Sequence, residues 1–180
     1  IANIDFNKAL SFHKEKQSPL TLIVREDENL EQYKPIEIDS NGKIVRFPYS
    51  DLREPVEGAT RVMFTGAQIA EPEIFDRILD NRFCGTTDEV YPAMLNEGIN
   101  IYGFQHKGYW RDIGSRVSYL LANEEALDEQ VKLVEIGKLN PKGPNIMPPV
   151  LIGEGCTLSP YSQIGPYAIL GNGCRVEEGA

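Results

Sequence analysis

The residues with the clearest potential for chemistry lie in the segment H-K-G-Y-W-R-D-I-G-S, from His106 to Ser115. This segment contains Trp110, the single tryptophan of the chain, and Asp112 two positions later. The pattern around Asp112 predicts that a strand ends and a helix begins here, and α/β proteins place ligand-contacting groups at such junctions. The residue types alone leave two interpretations open: Asp112 caps the turn before the helix, or its carboxylate binds a ligand.

The composition is that of a globular protein with an acidic surface. The 180 residues are 41% hydrophobic and 25% charged, with a formal net charge of -9. Nucleic acid is therefore excluded as an expected partner, because phosphate backbones bind to basic patches. No apolar run approaches the ~20 residues that a membrane-spanning helix needs, and no signal-peptide pattern opens the chain. We expect a cytoplasmic protein without membrane contact, with its three cysteines reduced.

Residues 1–128 show the alternation of helical and strand patterns that is typical of an α/β domain. The run Leu20–Val24 is short, apolar and nearly unbroken, which predicts a strand buried on both faces. No strand pattern and no glycine-rich phosphate loop precede this run. We therefore expect the second half of a domain, in which Leu20–Val24 exposes an unpaired edge.

The remaining elements of this domain are predicted from periodicity and from capping residues. We expect Asp5 to cap the first helix, and a capping box from Thr86 to Glu89 to start a later one. The predicted helices are Ile4–Lys14, Pro72–Asp80, Thr86–Leu95 and a segment after Gly114 with Val117, Leu120, Leu121 and Leu127 on one face. The predicted strands are Arg61–Ile69, Ile99–Phe104 and the arms of a hairpin over Pro35–Phe47 that turns at Asn41 and Gly42.

Residues 150–180 repeat with a period of six. A small residue follows each aliphatic one four positions later, and turn-forming residues stand between them. The recurring aliphatic residues are Ile152, Leu158, Ile164, Leu170 and Val176. A six-residue step with one inward aliphatic side chain is the sequence rule of a β-helix, in which each aliphatic residue stacks on its counterpart in the next coil. Residues 129–149, rich in Lys, Pro and Gly, are predicted to be a linker.

The order of motifs resembles that of the sugar nucleotidyltransferases, most of all the NDP-sugar pyrophosphorylases of the mannose-1-phosphate guanylyltransferase type. The shared motifs are F-H-K, the buried strand, the I-D-S-N-G-K-I hairpin, F-T-G, T-D-E-V, G-Y-W-R-D-I-G and the hexapeptide repeats. This resemblance implies the second half of a Rossmann-like nucleotidyltransferase domain followed by a left-handed parallel β-helix. It also implies a preceding first half that carries a Gly-rich loop, an Arg and a metal-binding Asp.

The resemblance further implies a reaction. Family members make an NDP-sugar and pyrophosphate from a nucleoside triphosphate and a sugar 1-phosphate, here mannose 1-phosphate with GTP, or glucose 1-phosphate. A sugar-phosphate oxygen attacks the α-phosphorus in line, and Mg2+ held by carboxylates and phosphate oxygens offsets the repulsion between the anions. By resemblance, Asp112 is the second of two metal-binding aspartates. The expected assembly is a homo-oligomer, or an association with a first half supplied separately.

Three further residues are assigned to the sugar site by the resemblance. Gly66 in F-T-G matches a glycine whose backbone comes close to the sugar, although a strand bulge would also explain a glycine there. Tyr33 matches the first residue of a Tyr-Gly pair near the sugar, but Lys34 stands where that pair has its glycine. Trp110 is expected to line the sugar site, and a place in the core is the alternative.

One motif of the family is missing. Its Glu-Lys pair, whose lysine contacts the sugar phosphate, should fall near Tyr49 and Ser50. Because a guanidinium binds phosphate well, Arg46 or Arg53 could supply the missing cation. The alternative is that each is a solvated surface arginine.

Two other functions are compatible with parts of the sequence. A hexapeptide-repeat acyltransferase would share the β-helix, but such enzymes commonly use a His base near the coils, and no His follows His106. A noncatalytic module for sensing sugar nucleotides or for assembly is favoured by the missing Glu-Lys pair. Neither His13 nor His106 lies in a catalytic arrangement, and both are interpreted as structural or surface residues.

Overall fold

The computed structural model describes residues 1–48, 55–131, 137–143 and 145–180. Two compact units make up the described chain. The sheet unit comprises Ile4–Gly108, and the repeat unit comprises Ile1–Asn3 together with Tyr109–Ala180. This division falls earlier than the predicted end of the α/β domain at residue 128.

The sheet unit is built on a five-stranded mixed sheet in the order β3-β2-β4-β1-β5. Its strands are β1 (Leu20–Arg25), β2 (Ile36–Ile38), β3 (Ile44–Arg46), β4 (Thr60–Ala70) and β5 (Ile101–Gln105). All the predicted strands of this unit are present, with small shifts in their bounds. The mixed α/β architecture expected from the alternating patterns is therefore found.

The first strand lies inside the sheet and has a partner on each side. β1 pairs with β4 in antiparallel orientation and with β5 in parallel orientation, and Leu20, Leu22 and Val24 are 0% exposed. The predicted unpaired edge is therefore wrong. Both neighbours of β1 come from later parts of the chain, so the absence of a preceding strand does not leave β1 unpaired.

The predicted hairpin is present and its turn is fixed by local contacts. β2 and β3 pair in antiparallel orientation, and Gly42 has a positive φ of 79°. The Asp39 carboxylate accepts hydrogen bonds of 2.8 Å from the backbone N–H groups of Asn41 and Lys43. The Gly42 carbonyl also accepts a hydrogen bond of 2.7 Å from the backbone N–H of Gly103 in β5. The turn is thus held both by its own side chain and by the neighbouring strand.

Both histidines are buried, so the interpretation of either one as a surface residue is wrong. His13 is 2% exposed; its Nδ1 lies 2.8 Å from the Thr21 hydroxyl, and its Nε2 lies 3.2 Å from the Glu71 carboxylate. His106 is 8% exposed, and its backbone N–H donates to the Val24 carbonyl at 2.7 Å. His13 thereby ties its helix to β1 and to the residue after β4.

The first helix, α1 (Phe6–Lys16), lies two residues later than the predicted Ile4–Lys14 and begins directly after Asp5. The Asp5 carboxylate accepts a hydrogen bond of 3.0 Å from the backbone N–H of Lys8, which confirms the predicted cap. The helix predicted from Pro72 is instead a 3-10 helix that ends at Arg77. Among the described residues, no helix is long and apolar enough to cross a membrane.

The helix predicted to begin at Thr86 has a different form. It consists of two pieces, a π-helical turn over Thr86–Val90 and α2 over Tyr91–Asn96. The predicted capping box is wrong, because the turn starts after Gly85 without a side-chain cap. The Glu89 carboxylate instead accepts a hydrogen bond of 2.5 Å from Arg82.

The repeat unit pairs strands that lie three hexads apart in the sequence. β7 runs parallel to β9, and β8 runs parallel to β10. The strands are β6 (Lys138–Leu139), β7 (Val150–Ile152), β8 (Thr157–Leu158), β9 (Ala168–Leu170) and β10 (Arg175–Val176). All five recurring aliphatic residues lie in one apolar cluster. β6 pairs with β7, so the segment predicted as a linker contributes a short strand.

The helix of the repeat unit, α3 (Arg116–Leu127), buries a different face from the predicted one. Val117 is 68% exposed and Leu120 is 59% exposed. Leu127 and Ala122 are buried, so of the predicted apolar face only Leu127 packs within the chain. A small residue such as Ala122 allows the helix backbone to approach its neighbours closely, whereas the larger aliphatic side chains lie on the outer side.

Candidate functional site

The backbone that leads to Asp112 is held by the first residues of the chain. Trp110 forms an isolated antiparallel bridge with Ala2. The backbone N–H of Asn3 donates to the Tyr109 carbonyl at 3.2 Å, and that of Arg111 donates to the Ile1 carbonyl at 2.9 Å. The predicted strand before Asp112 is therefore a short extended segment paired with residues 1–3.

Two side chains of this extended segment converge on a carboxylate of α3. Arg111 makes a two-point ion pair with Glu125, with its Nε 2.5 Å from Oε2 and its Nη2 bonded to Oε1. The Tyr109 hydroxyl donates to the same Oε2 at 2.7 Å. The side chain of Glu125 is 18% exposed and that of Arg111 is 31% exposed. The cluster joins the extended segment to α3.

The ionisation of these three groups reflects their contacts. The hydrogen bonds from Arg111 hold the pKa of the Glu125 carboxyl below its usual range, and the same bonds raise the pKa of the Arg111 guanidinium. Burial, followed by the hydrogen bond to the Glu125 carboxylate, raises the pKa of the Tyr109 hydroxyl. The pair is therefore charged and Tyr109 is neutral at physiological pH.

Asp112 lies one residue beyond this cluster, exposed to solvent. Its Oδ1 accepts a hydrogen bond of 3.1 Å from the backbone N–H of Gly114. The Ser115 hydroxyl then caps α3 by accepting from the backbone N–H of Ser118 at 3.0 Å. Asp112 therefore caps the turn before α3, as the first interpretation predicts. This role is compatible with ligand binding, because an exposed carboxylate has lone pairs beyond the one that accepts from Gly114.

A carboxylate of this kind fits Mg2+, which prefers hard oxygen ligands and keeps several waters. The described part of the chain holds no group of three His, Cys, Asp or Glu side chains that could enclose a metal ion. Any metal at Asp112 would therefore take its other ligands from water, substrate phosphates or further carboxylates. Protein sites for Mg2+ that serve phosphate chemistry commonly have this sparse composition.

Gly66 lies at a bulge of β4. The partners Leu22 and Gln68 are in register, as are Val24 and Phe64, so Ile23 faces the three residues from 65 to 67. Gly66 has a φ of +86°, and among the described residues no atom outside its two chain neighbours lies within 4 Å of the place where its Cβ would be. The bulge is therefore present, and it presents open backbone on which a ligand can approach closely.

Tyr33 ends a short 3-10 helix over Leu30–Tyr33, and Lys34 follows with a φ of +52°. A left-handed conformation is the one that glycine adopts without cost. Lys34 thus keeps the backbone shape that a Tyr-Gly pair would have, while adding a side chain. The same short helix is tied to β4 by the hydrogen bond of 2.8 Å from Arg61 to Glu31.

Arg46 does not serve as a solvated surface arginine. It forms an ion pair with Glu37, whose side chain is 1% exposed, and its own side chain is only 15% exposed. The second oxygen of Glu37 accepts a hydrogen bond of 2.9 Å from the backbone N–H of Val56. Arg46 therefore compensates a buried carboxylate, and that surface interpretation is wrong for it. Arg53, Tyr49 and Ser50 lie outside the described residues.

A polar cleft of about 620 Å3 opens beyond the carboxyl end of β1. It is lined by Arg61 and by the segment from Arg25 to Leu30. Arg25 lies 3.7 Å from the Asp27 carboxylate, so both arginines of the cleft have acidic neighbours. Open α/β sheets bind ligands at this end of their strands, but sequence reasoning missed the cleft because its residues form no motif.

Each unit contains two of the four predicted site residues. Trp110, which is half-buried, and Asp112 lie in the repeat unit, whereas Gly66 and Tyr33 lie in the sheet unit. Sequence reasoning also missed Glu125. Tyr109 and Arg111 are two positions apart, and in an extended segment such side chains lie on the same side. This spacing could have indicated that the two side chains share a partner.

Comparison with known proteins places these features in a family context. Residues 1–129 match the model of the nucleotidyl transferase family. A glucose-1-phosphate adenylyltransferase of Desulfitobacterium hafniense is 26% identical over 98% of this chain and 44% of the relative. A UTP–glucose-1-phosphate uridylyltransferase of Synechocystis sp. is 26% identical over 98% of this chain and 51% of its own length. A mannose-1-phosphate guanyltransferase of Schizosaccharomyces pombe is 30% identical over 88% of this chain and 42% of the relative. The chain thus spans about half the length of the curated relatives that it matches.

Proposed function

Because this chain belongs to the nucleotidyl transferase family, we propose that it is the sugar-side part of an enzyme that joins a nucleoside triphosphate and a sugar 1-phosphate. The products would be an NDP-sugar and pyrophosphate. The observation that carries this proposal is the similarity along nearly the whole chain to relatives that transfer adenylyl, uridylyl and guanylyl groups. Mannose 1-phosphate with GTP, or glucose 1-phosphate, is the substrate pair that we propose.

Asp112 is the residue proposed to act nearest to the reacting phosphates. When bound, Mg2+ supplies positive charge that offsets the repulsion between the attacking and the attacked phosphate groups. Asp112 would contribute one oxygen ligand, in an orientation fixed by the Gly114 N–H and by the anchored backbone at Arg111. Its exposure leaves room for water and phosphate oxygens beside it.

The other proposed site residues would position the sugar. The open backbone at Gly66 can approach a sugar hydroxyl without a side chain in the way. Tyr33 offers a ring and a hydroxyl next to the left-handed residue Lys34. Trp110 offers an apolar ring for the sugar face. For the proposed reaction, the phosphate oxygen of the sugar 1-phosphate must lie in line with the α-phosphorus.

The hexad segment is proposed to form a left-handed parallel β-helix. This proposal is supported by the parallel pairing of strands three hexads apart and by the shared apolar cluster of their aliphatic residues. A stack of coils presents backbone donors and apolar side chains at each end, and a second copy could cover them. A homo-oligomer built on these repeats, or an association with a separately supplied first half, is therefore part of the proposal.

Pyrophosphate release tests the proposed reaction. Each of the four common nucleoside triphosphates is combined with mannose 1-phosphate or glucose 1-phosphate and Mg2+. The assay is run on the 180-residue chain and on the complete product of its reading frame. We expect turnover by the complete product with at least one substrate pair and none by the 180-residue chain, since among the described residues the proposed site offers the metal a single carboxylate.

A noncatalytic sugar-nucleotide module is the second candidate. It is favoured by the engagement of Arg46 with Glu37, which removes one of the two cations suggested to replace the family's lysine. Calorimetric titration with NDP-sugars separates the two candidates. Binding of an NDP-sugar by the complete product, without pyrophosphate release from any pair, would support the noncatalytic module and overturn the enzyme.

A further inference from the structure

Cys156 and Cys174 occupy equivalent positions in successive coils of the repeat unit. They immediately precede β8 and β10, which pair in parallel orientation. The backbone N–H of Thr157 donates to the Cys174 carbonyl at 2.9 Å, and that of Gly173 donates to the Glu154 carbonyl at 2.8 Å. Backbone hydrogen bonds therefore join the two coils on both sides of the cysteine pair.

The spacing of paired strands brings the two cysteines within reach of each other. Neighbouring strands lie roughly 4.8 Å apart, and disulfides join Cα atoms that are roughly 4.4–6.8 Å apart. The Cys156 thiol lies 3.1 Å from the carbonyl oxygen of Gly171, a residue of the coil that carries Cys174. Its sulfur therefore leans toward that coil. Both cysteines are only half-buried, so small reagents can reach them.

We propose that Cys156 and Cys174 form an inter-coil dithiol, a modification site that a small-molecule disulfide such as oxidised glutathione converts into a disulfide. The thiolate of one cysteine attacks a sulfur of the reagent, forms a mixed disulfide and releases one reduced thiol. The second cysteine, as a thiolate, then attacks the protein sulfur of that mixed disulfide and releases the second reduced thiol. The protein loses two hydrogens, and the reagent gains them as two thiols.

The geometry of parallel strands makes this disulfide reversible. In parallel strands the side chains at paired positions point the same way, so the Cβ atoms of Cys156 and Cys174 lie about as far apart as the Cα atoms. Relaxed disulfides have Cβ atoms roughly 3.8 Å apart, so the bond must draw the two coils together. Strained disulfides have higher reduction potentials than structural ones. The site is therefore suited to a reversible cross-link between coils, and it is independent of the proposed reaction.

The experiment uses the 180-residue chain with Cys84→Ser, which leaves the pair as the only thiols. The protein is incubated with oxidised glutathione, and intact mass, non-reducing peptide mapping and the thermal unfolding midpoint are measured. We expect one monomeric product that lacks two hydrogens, carries no glutathione and links the peptides of Cys156 and Cys174. Its unfolding midpoint should rise by several degrees, because the cross-link restricts the unfolded chain, and a mild reductant should reverse the change.

Two single-thiol variants in the same background, Cys156→Ser and Cys174→Ser, are the matched controls. Each is expected to stop at one mixed disulfide with glutathione and to show no rise in the unfolding midpoint. A stable double glutathione adduct, two unreacted thiols or a cross-link between two chains in the Cys84→Ser protein would overturn the proposal. If Cys84→Ser impairs folding, peptide mapping of the unsubstituted chain decides, and a Cys156–Cys174 link must still dominate.

Discussion

Arg111 and Glu125 form a two-point ion pair that joins the extended segment before Asp112 to the last turn of α3. The Tyr109 hydroxyl shares the same carboxylate. Because the Arg111 backbone is also bonded to the first residue of the chain, the residue just before Asp112 is held through both its main chain and its side chain. The orientation of the proposed metal ligand therefore depends on a carboxylate that lies far from it in the sequence.

Replacing Glu125 by Gln should loosen this segment. The neutral amide keeps one acceptor but loses the charge-assisted pair, and such hydrogen bonds contribute about 1–3 kcal/mol when partly buried. We expect a fall of this order in the free energy of unfolding, and a change in the fluorescence of Trp110, the single tryptophan, in the folded protein. The variant Glu124→Gln removes the same charge from the adjacent helix position. Equal effects from both substitutions would show that the ion pair has no special role.

The stability difference between the native protein and Glu125→Gln should depend on pH. Arg111 holds the pKa of the Glu125 carboxyl below its ordinary value of 4.5. A carboxyl with a depressed folded-state pKa contributes stability above its unfolded pKa and loses that contribution as pH falls through the folded value. Urea unfolding should therefore give a constant difference at neutral pH and a shrinking one below about pH 4.5. A difference that stays constant down to pH 3 would contradict the assigned cause.

Replacing Asp112 by Asn should remove activity while leaving the fold intact. Asn keeps the oxygen that accepts from Gly114, but it binds Mg2+ more weakly because it lacks the charge. In the proposed reaction, losing several kcal/mol of transition-state stabilisation corresponds to a loss of at least about a hundredfold in turnover. The thermal midpoint should be unchanged. The exposed Asp76→Asn is the control, and near-normal turnover of Asp112→Asn at limiting Mg2+ would remove Asp112 from the mechanism.

Replacing Gly66 by Ala tests the bulge of β4. Within the described part of the chain, no atom outside the neighbouring residues would contact the new methyl group. We therefore expect the loss of stability to come from the left-handed backbone, which costs about 1–2 kcal/mol for a residue with Cβ. If the sugar approaches this backbone, KM for the sugar 1-phosphate should also rise in the complete enzyme. Gly171→Ala is the matched control, because the position of Gly171 has similar space for a methyl group but no positive φ. It should be close to neutral, and a neutral Gly66→Ala would mean that the bulge relaxes easily.

Replacing Ile164 by Asp tests the apolar stack of the repeat unit. Ile164 is 6% exposed within the aliphatic cluster, and an unpaired buried carboxylate is among the most destabilising changes. We expect a loss of roughly 3 kcal/mol or more in the free energy of unfolding. Ile169→Asp places the same charge on a residue that is 45% exposed. If the two variants are equally stable, Ile164 does not point inward.

Local patterns in the sequence were sufficient for many of these features. The period of six located the stacked aliphatic residues, and Asp5 marked the start of α1, because such signals depend only on neighbours in the chain. Asn41 and Gly42 marked the hairpin turn for the same reason. The G-Y-W-R-D-I-G motif pointed to Asp112, although its role as a metal ligand stays a prediction.

Only the tertiary structure decided which distant groups meet. β1 lies inside the sheet because β4 and β5 pair with it on either side, and strand order is a property of the whole sheet. Glu89 accepts a hydrogen bond from Arg82 instead of forming the predicted capping box, and Arg46 forms an ion pair with the buried Glu37. Each of these outcomes depends on which partner the folded chain brings close, and periodicity does not show that. For the buried Glu37, leaving the charge without a partner would be costly, which favours its pairing with Arg46.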